Sequence, residues 1–247
     1  MRIAITGAGG QLGAALVEEL EPSHDLVTFA RSDLDVTDDV AVAGAMEAAR
    51  PDVIINCAAY NEVDAAEDHP IEALNTNAFA VRALARAAAA IDANLVHYST
   101  DFVFDGTASA PYVETDPPNP RSVYASSKLL GEWLALDAPR AYVLRVESLF
   151  GRVASGPPAK GSVAGIRKAL QAGAEARVFE DRTVSPTYVP DAARVTRQIV
   201  EQRIEPGLYH CVNTGHCTWL EFAREFARQL DAAGRLVPLR LADFPMR

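Results

Sequence analysis

Cysteine, aromatic side chains and basic charge are all scarce in this 247-residue sequence. Its three cysteines, Cys57, Cys211 and Cys217, are too few for a disulfide framework and indicate a reducing compartment such as the cytoplasm. The net charge of −10 argues against a nucleic-acid-binding surface or a polybasic membrane patch. There is no run of about 18 apolar residues, so we expect no membrane span. Because "MRIAITGAGG" enters a strand at once, we expect no signal peptide either.

The sequence is rich instead in short apolar runs that alternate with longer helical patterns. This alternation is typical of βαβ units and predicts an α/β fold, a Rossmann-type doubly wound parallel sheet. The predicted strands cover residues 2–6, 25–29, 53–56, 94–99, 141–146 and 176–179. The predicted helices cover residues 11–20, 40–49, 71–90, 122–136, 163–172 and 218–234. The last helix starts with a capping box, in which Thr218 and Glu221 bond each other's backbone.

A glycine-rich loop, "TGAGGQLG", joins the first predicted strand to the first predicted helix. Gly7, Gly10 and Gly13 allow a tight turn, the approach of a pyrophosphate to the backbone, and close packing of helix on strand. The helix then begins at Gln11 and Leu12, whose amide groups can donate to phosphate oxygens. A loop of this kind between a strand and a helix predicts a bound dinucleotide.

The residues after the second predicted strand bear on which dinucleotide binds. NAD-selective sites usually carry an acidic residue there for the ribose 2′-hydroxyl, but this chain has Arg31 followed by Ser32. A guanidinium can pair with a 2′-phosphate, and NADPH is therefore favoured. NADH stays an alternative, because Arg31 can also be an ordinary solvated arginine. Asp35 and Val36 follow closely and are expected to bracket the adenine.

The stretch "LVHYSTDFVFDG" ends an apolar strand in three polar residues, Ser99, Thr100 and Asp101. Open α/β folds place their chemistry at the carboxyl edge of the sheet, which makes Thr100 and Asp101 candidate site residues. Asp101 can orient a substrate or Thr100, or it can simply cap the end of the strand.

Tyr124 and Lys128 stand four residues apart in "SVYASSKLLGEWL" and therefore share one face of a predicted helix. A lysine ammonium beside a phenol is expected to lower the pKa of the phenol and to make it a proton donor or acceptor near neutrality. The competing interpretation is an amphipathic helix with a packed tyrosine and a solvated lysine. The glycine loop and the polar end of the fourth strand favour the catalytic interpretation.

Taken together, five stretches resemble the extended short-chain dehydrogenase/reductase family. They cover nearly the whole chain and read "TGAGGQLG", "PDVIINCAAYNEVDAAE", "HYSTDFVFDG", "PYVETDPPNPRSVYASSK" and "YHCVNTGHCTWLEFA". The resemblance implies an NADPH-dependent oxidoreductase that reduces the C4 carbonyl of a 4-keto-6-deoxy nucleotide sugar, with dTDP-4-dehydro-L-rhamnose as the expected substrate. It also implies a dinucleotide-binding domain over residues 1–150. Residues 151–247 are expected to form mainly a smaller C-terminal substrate-binding lobe, with a partial return to the Rossmann core.

The same resemblance implies roles for individual residues. Thr100 would hold the substrate carbonyl, Tyr124 would be the catalytic acid, and Lys128 would be its partner and a cofactor contact. Further cofactor contacts are implied for Cys57, Ala58, Ala59 and Asn77, the last at a proton-relay position. Further substrate contacts are implied for Asp101, Phe102, Ser148, Pro186 and Thr187.

This chain departs from the family pattern in three places. Phe102 stands where a tyrosine is common, and Ser148, in "ESLFG", stands where a tryptophan commonly lies near the sugar. The sugar preference is therefore open. The chain also ends at "LRLADFPMR", where family members continue with a proline-rich segment and another helix, so a truncated and an atypical C-terminus both fit.

Three related functions fit the residues less well. A 4,6-dehydratase needs two neighbouring residues that act as acid and base, but Asp101 is followed here by Phe102. A 4-epimerase retains NAD, whereas Arg31 favours exchangeable NADPH. A non-catalytic NADP-binding module, such as the regulatory subunit of methionine adenosyltransferase that resembles this family, would not need an intact catalytic set.

Four potential zinc ligands, His210, Cys211, His216 and Cys217, occur in "YHCVNTGHCTW". Neighbouring side chains on a strand point to opposite faces, so His210 and Cys211 cannot readily share one ion, and we predict no metal site. Some relatives use magnesium at a dimer contact, but the sequence fixes neither Mg²⁺ nor a homodimer. The expected partner is the nucleotide-sugar substrate, without nucleic acid or membrane.

Overall fold

A computed structural model describes residues 1–232 and 235–243. Six parallel strands form its central sheet: β1 (Arg2–Thr6), β2 (Asp25–Phe29), β3 (Val53–Asn56), β4 (Asn94–Thr100), β5 (Ala141–Val146) and β8 (Gly207–His210). Their order across the sheet is β2-β1-β3-β4-β5-β8. The strand order reverses between β1 and β3, and ligands of open α/β sheets bind at the carboxyl ends of the strands at such a point.

Helices cover both faces of this sheet. The helices on one face are α1 (Gln11–Leu20) and α8 (Val189–Gln202), and those on the other are α2 (Asp39–Ala49), α5 (Ala80–Ala90) and α6 (Val123–Leu136). Ile3 and Ile5 belong to the core beneath α1 and α8, whereas Ala4 and Ile54 belong to the opposite core. All four side chains are fully buried, as expected for parallel strands that are covered on both sides.

A separate, smaller core lies beyond residue 150. Its elements are α7 (Gly161–Gln171), β6 (Ala176–Phe179), α9 (Trp219–Gln229) and β10 (Leu236–Leu239), with β10 parallel to β6. A second short pair joins β7 (Thr183–Val184) to β9 (Cys217–Thr218) in antiparallel fashion. Ile166, Val178 and Trp219 are among the buried side chains of this core. None of the described helices has the length and apolarity needed to cross a bilayer.

The structure differs from the sequence prediction for this second half in two places. Strand 176–179 exists, but it pairs with β10 outside the central sheet, whose sixth strand is β8. No helix was predicted where α8 lies, and its first turn contains Pro190 and Asp191, two residue types that are also common in loops. Both are favourable in the first turn of a helix, where an amide is not needed and an acid complements the helix dipole.

The predicted helix 71–90 is divided in the structure. After the short helix α3 (Ala65–Asp68), α4 (Pro70–Leu74) leads through a π-helical segment at Asn75–Phe79 into α5. The final helix α9 is shorter than predicted, and the last two predicted residues, Ala233 and Gly234, lie outside the described residues. Its capping box at Thr218 and Glu221 is confirmed.

Candidate active site

The glycine loop crosses closely over the backbone that follows β3. Gly7 has a φ of +68°, and a Cβ atom there would lie 2.6 Å from the amide nitrogen of Ala58. A Cβ atom on Gly13 would overlap the Gly7 carbonyl oxygen and come within 2.8 Å of Ala8 Cα. Gly7 therefore needs glycine for its conformation and for space, and Gly13 needs it for space alone.

Helix α1 begins directly after this loop with uncapped amide groups. Its N-cap is Gly10, which has no side chain to accept a hydrogen bond from them. The Leu12 side chain is buried in the core, so the group it can offer a ligand is its amide. A tight glycine loop that leads into free helix amides fits the pyrophosphate of a dinucleotide.

The Gln11 side chain makes a contact that the sequence did not predict. Its Nε2 atom donates to the Gly151 carbonyl at 2.9 Å, and its Oε1 atom accepts from the Lys160 amide at 3.0 Å. Gln11 therefore ties the Gly/Pro/Ser loop that leads into the smaller core to the start of α1.

The residues after β2 lie at the surface. Arg31 is exposed, and the Val36 side chain is buried. The Asp35 carboxylate accepts hydrogen bonds from the Thr37 hydroxyl at 2.7 Å and the Thr37 amide at 2.9 Å, and these bonds lower its pKa. A cavity of about 290 Å³ between the glycine loop and β2 is lined by Ala8, Gly9, Ala14, Val17, Thr28, Ala30, Asp33 and Ser155.

Thr100, Tyr124 and Lys128 come together at the carboxyl end of β4. Thr100 is the last residue of that strand, and Tyr124 and Lys128 lie one turn apart on α6, which packs alongside it. The Tyr124 side chain is only 8% exposed, and its phenol lies near the Thr100 hydroxyl. Lys128 is buried as well, and its Nζ atom donates to the Tyr98 carbonyl at 2.6 Å. The alternative in which Lys128 is solvated is therefore wrong.

Burial dominates the protonation of this tyrosine and this lysine. It raises the pKa of Tyr124 to about 12, although the nearby Thr100 hydroxyl opposes the rise. It lowers the pKa of Lys128 to about 8, although the Glu132 carboxylate opposes the fall. The prediction of a lowered pKa for Tyr124 is therefore wrong in this structure, because burial outweighs the contacts that favour the phenolate. At neutral pH Tyr124 is a proton donor and Lys128 is positively charged.

Asn77 lies in the π-helical segment, where it is fully buried. Its Oδ1 atom accepts from the Tyr60 amide at 2.8 Å, and its Nδ2 atom donates to the Tyr60 carbonyl and the Ser127 hydroxyl, both at 3.0 Å. Ser127 in turn donates to the Tyr124 carbonyl at 2.7 Å. Gly131 lets the segment approach α6, since a Cβ atom there would overlap the Asn77 carbonyl. Asn77 thus helps to position α6, the helix that carries Tyr124 and Lys128, and π segments often occur at functional sites.

Asn56 is a site residue that sequence reasoning missed. Its Oδ1 atom accepts from the Thr6 hydroxyl at 2.7 Å and from the Ala58 amide at 3.1 Å. These bonds fix the turn through Cys57, Ala58 and Ala59, and burial raises the pKa of the Cys57 thiol, which is therefore neutral. A polar residue at the end of a buried strand was the available signal.

Asp101 and Glu147 lie side by side, because their predecessors Thr100 and Val146 are paired in neighbouring strands. The Asp101 Oδ1 atom accepts from the Thr100 hydroxyl at 3.0 Å. Burial raises the pKa of both carboxyls, and that of Glu147 reaches about 7. Sequence reasoning selected Ser148 and missed Glu147, although Glu147 also directly follows a buried strand at this edge.

The other predicted substrate residues surround this pair. The Phe102 ring packs edge-on against the Tyr124 ring with 5.8 Å between centroids. Ser148 adopts the left-handed conformation with a φ of +47°. Thr187 is buried, and Pro186 lines a cavity of about 620 Å³ that has Phe150, Tyr188, Phe222 and polar residues around it.

The histidines and cysteines near residue 210 point in different directions. The His210 ring packs against Phe104, whereas Cys211 lies in the core of the sheet. Within residues 1–232 and 235–243 no three histidine, cysteine, aspartate or glutamate side chains are grouped so that they could hold a metal ion.

The sheet is doubly wound, the glycine loop lies where its strand order reverses, and the buried set of Thr100, Tyr124 and Lys128 lies at its edge. These features define an NAD(P)-dependent oxidoreductase of the short-chain dehydrogenase/reductase class. Comparison with known families then identifies the branch. The profile of the RmlD substrate binding domain family matches residues 1–247, and the chain belongs to this family.

Individual relatives are similar over almost the whole chain. A dTDP-4-dehydrorhamnose reductase of Mycobacterium tuberculosis is 37% identical over 99% of this chain and 81% of its own length. A probable dTDP-4,6-dihydroxy-2-methyloxan-3-one 4-ketoreductase of Streptomyces antibioticus is 38% identical over 99% of this chain and 82% of its own. The crystal structure of a Bacillus anthracis dTDP-4-dehydrorhamnose reductase in complex with NADP has a TM-score of 0.91, with 33% identity over 98% of this chain and 85% of that one.

Proposed function

We propose that this protein is an NADPH-dependent reductase of dTDP-rhamnose biosynthesis, which converts the C4 carbonyl of dTDP-4-dehydro-L-rhamnose into the C4 alcohol of dTDP-L-rhamnose. The observation that carries the proposal is the buried set of Thr100, Tyr124 and Lys128 at the same edge of the sheet as the glycine loop. The similar dTDP-4-dehydrorhamnose reductases support the substrate, and the relative solved with NADP supports the cofactor.

NADPH, when bound, supplies the hydride that reduces C4. The glycine loop and the amides at the start of α1 would hold its pyrophosphate, and Arg31 would pair with its 2′-phosphate. The space that only glycine leaves at Gly7 and Gly13 fits this role. Cys57, Ala58 and Ala59 would line the ribose.

The protein's own residues polarise the carbonyl and transfer the proton. The hydroxyl groups of Thr100 and Tyr124 would donate to the carbonyl oxygen, so that negative charge develops where two donors already stand. Tyr124, protonated at neutral pH, would transfer its proton to that oxygen as the alcohol forms. The ammonium of Lys128 would stabilise the phenolate left behind, and Asn77 and Ser127 would keep the helix of Tyr124 in place.

The proposal assigns the two halves of the chain different tasks. Residues 1–150 would bind the dinucleotide. Residues 151–247 would mainly hold the sugar nucleotide, with Pro186 and Thr187 near the sugar, while α8 and β8 return to the main sheet. A cytoplasmic location remains a prediction from the sequence, which fixes neither a homodimer nor a role for Mg²⁺.

The test is NADPH oxidation by the purified chain with dTDP-4-dehydro-L-rhamnose, with NADH in a parallel assay. We expect turnover to dTDP-L-rhamnose and a preference for NADPH, which would support the role of Arg31. A folded protein that binds NADPH without any turnover would contradict the proposal and favour a non-catalytic binding module. Interconversion of UDP-glucose and UDP-galactose would instead indicate a 4-epimerase.

A further inference from the structure

Glu147 is a carboxyl group at the junction of the catalytic edge and the C-terminal half, and the proposed reaction does not use it. Its Oε2 atom accepts a hydrogen bond from the Ser185 amide at 2.7 Å. Its backbone carbonyl accepts another from the Thr187 amide at 3.0 Å. Glu147 therefore holds the segment 185–187, which includes two residues predicted to border the sugar, against the end of β5.

Titratable and charged groups face Glu147 from three neighbouring elements. Asp101 approaches it from the turn after β4, Arg182 from the loop before β7, and Cys217 from β9. Burial and then the Asp101 charge raise the pKa of Glu147 to about 7, whereas the Ser185 amide and Arg182 oppose this rise. The Glu147 carboxyl therefore changes its charge near neutrality.

Arg182 connects this pair of acids with the catalytic tyrosine through one aromatic ring. Its guanidinium carbon lies 5.0 Å from the centroid of the Phe102 ring, which packs edge-on against Tyr124. Its backbone carbonyl accepts a hydrogen bond from the Trp219 amide at 3.1 Å, which anchors the segment to α9. A change of charge on Glu147 thus acts on a cation next to the reacting end of the site.

We propose that Glu147 is a positioning residue for the sugar nucleotide, which fixes the segment 182–187 against the catalytic edge and sets the pH range in which the anionic substrate binds. This inference rests on the proposed function. With Asp101 and Glu147 both ionised, the two acids and Arg182 carry one net negative charge, which repels a diphosphate. With a proton on Glu147 the cluster is neutral, and Arg182 attracts the diphosphate more strongly. Affinity for the sugar nucleotide therefore falls as the pH rises through about 7.

The test is calorimetric binding of dTDP-L-rhamnose to the protein saturated with NADPH. This alcohol and the reduced cofactor cannot react with each other, so binding is measured without turnover. Glu147→Gln keeps the shape of the side chain and removes its charge, and Glu147→Ser also removes its contact with Ser185. The matched control is Glu47→Gln, at a side chain that is 74% exposed on α2.

We expect the Kd of the unmodified protein and of Glu47→Gln to rise about three- to tenfold between about pH 6 and about pH 8. The Kd of Glu147→Gln should change less than about twofold over that range. Glu147→Ser should bind more weakly than Glu147→Gln at every pH, because it also lacks the contact with Ser185. Lys128 titrates near the upper end of this range, but its contribution is common to all four proteins.

A Glu147→Gln variant with the same pH profile as the unmodified protein would overturn the inference, as would a Kd that does not depend on pH. Binding that depends on Glu147 but no turnover of dTDP-4-dehydro-L-rhamnose would uphold the inference for this site and overturn the proposed reaction. Turnover together with a pH-independent Kd would uphold the proposed reaction and overturn the inference. The absence of dTDP-L-rhamnose binding would overturn both.

Discussion

The carboxyl edge of the central sheet and the C-terminal half of the chain are held together by different kinds of contact. At the edge, Asn77, Thr100 and Lys128 are almost completely buried, and each has a hydrogen-bond partner. In the C-terminal half, segments near the site are joined to the main sheet by individual hydrogen bonds, from side chains such as Gln11 and Glu147 and from the backbone, as between the Thr187 amide and the Glu147 carbonyl. The residues of the edge are therefore held by burial and hydrogen bonds together, whereas the C-terminal segments depend on a few contacts that a substitution can change.

The largest effect that this comparison predicts comes from the edge. Tyr124→Phe removes the proton donor but keeps the ring that packs on Phe102, so we expect kcat to fall about 1000-fold with NADPH binding retained. Steady-state NADPH oxidation measures the loss, and NADPH fluorescence measures the binding. Tyr209→Phe, whose hydroxyl bonds the Glu205 carbonyl away from the site, is the control and should keep full activity. Equal losses in the two variants would mean that Tyr124 acts only through the fold.

A second prediction concerns pH and the buried ammonium of Lys128. Because burial lowers its pKa to about 8, Lys128 is charged below that pH and loses its charge above it. We therefore expect kcat to be level up to about pH 8 and then to fall about tenfold for each further pH unit. A pH–rate profile at saturating NADPH and substrate checks this. A rate that stays level to about pH 10 would contradict an essential charge on Lys128.

The third prediction compares two glycines of the main domain. At Gly13 a Cβ atom would overlap the Gly7 carbonyl, so Gly13→Ala should lower the free energy of unfolding by about 1–3 kcal/mol and weaken NADPH binding. At Gly44, in the middle of α2, a Cβ atom meets nothing within 4 Å, so Gly44→Ala should raise that free energy by up to about 1 kcal/mol. Denaturant titration measures both changes. A change of the same sign in the free energy of unfolding of both variants would show that an added methyl group at Gly13 does not destabilise the fold.

The smallest effect is expected from Gln11, which links the two regions. Gln11→Ala removes two hydrogen bonds to the loop 151–160 but no core contact, so the free energy of unfolding should fall by about 1 kcal/mol. The loop itself should become more sensitive to limited proteolysis, while the main domain keeps its resistance. Cleavage at unchanged rates would mean that other contacts hold this loop in place.

The same contrast explains how much could be predicted from the sequence. The first five strands of the main sheet were predicted to within one residue, since buried parallel strands read as apolar runs between turn residues. A run such as 176–179 does not reveal its partner, and it was wrongly placed in the main sheet. Helix α8 was missed because Pro190 and Asp191 occur both in loops and in the first turn of a helix.

The candidate site shows the same limit. The spacing of Tyr124 and Lys128 predicted that they share a helix face, and the structure places them together. Their pKa values could not be predicted from spacing, because they depend on burial by strands that are distant in sequence. Glu147 was missed for a similar reason, since its raised pKa comes from burial and from the charge of Asp101, which only the fold brings near it.

The most direct test of the central claim follows one atom. Unmodified protein and Tyr124→Phe are incubated with dTDP-4-dehydro-L-rhamnose and NADPH that carries deuterium in its transferable position, and the sugar is examined by NMR. We expect deuterium at C4 of dTDP-L-rhamnose, in one configuration, with almost none from the variant. A sugar product without deuterium at C4, or equal labelling by both proteins, would contradict it.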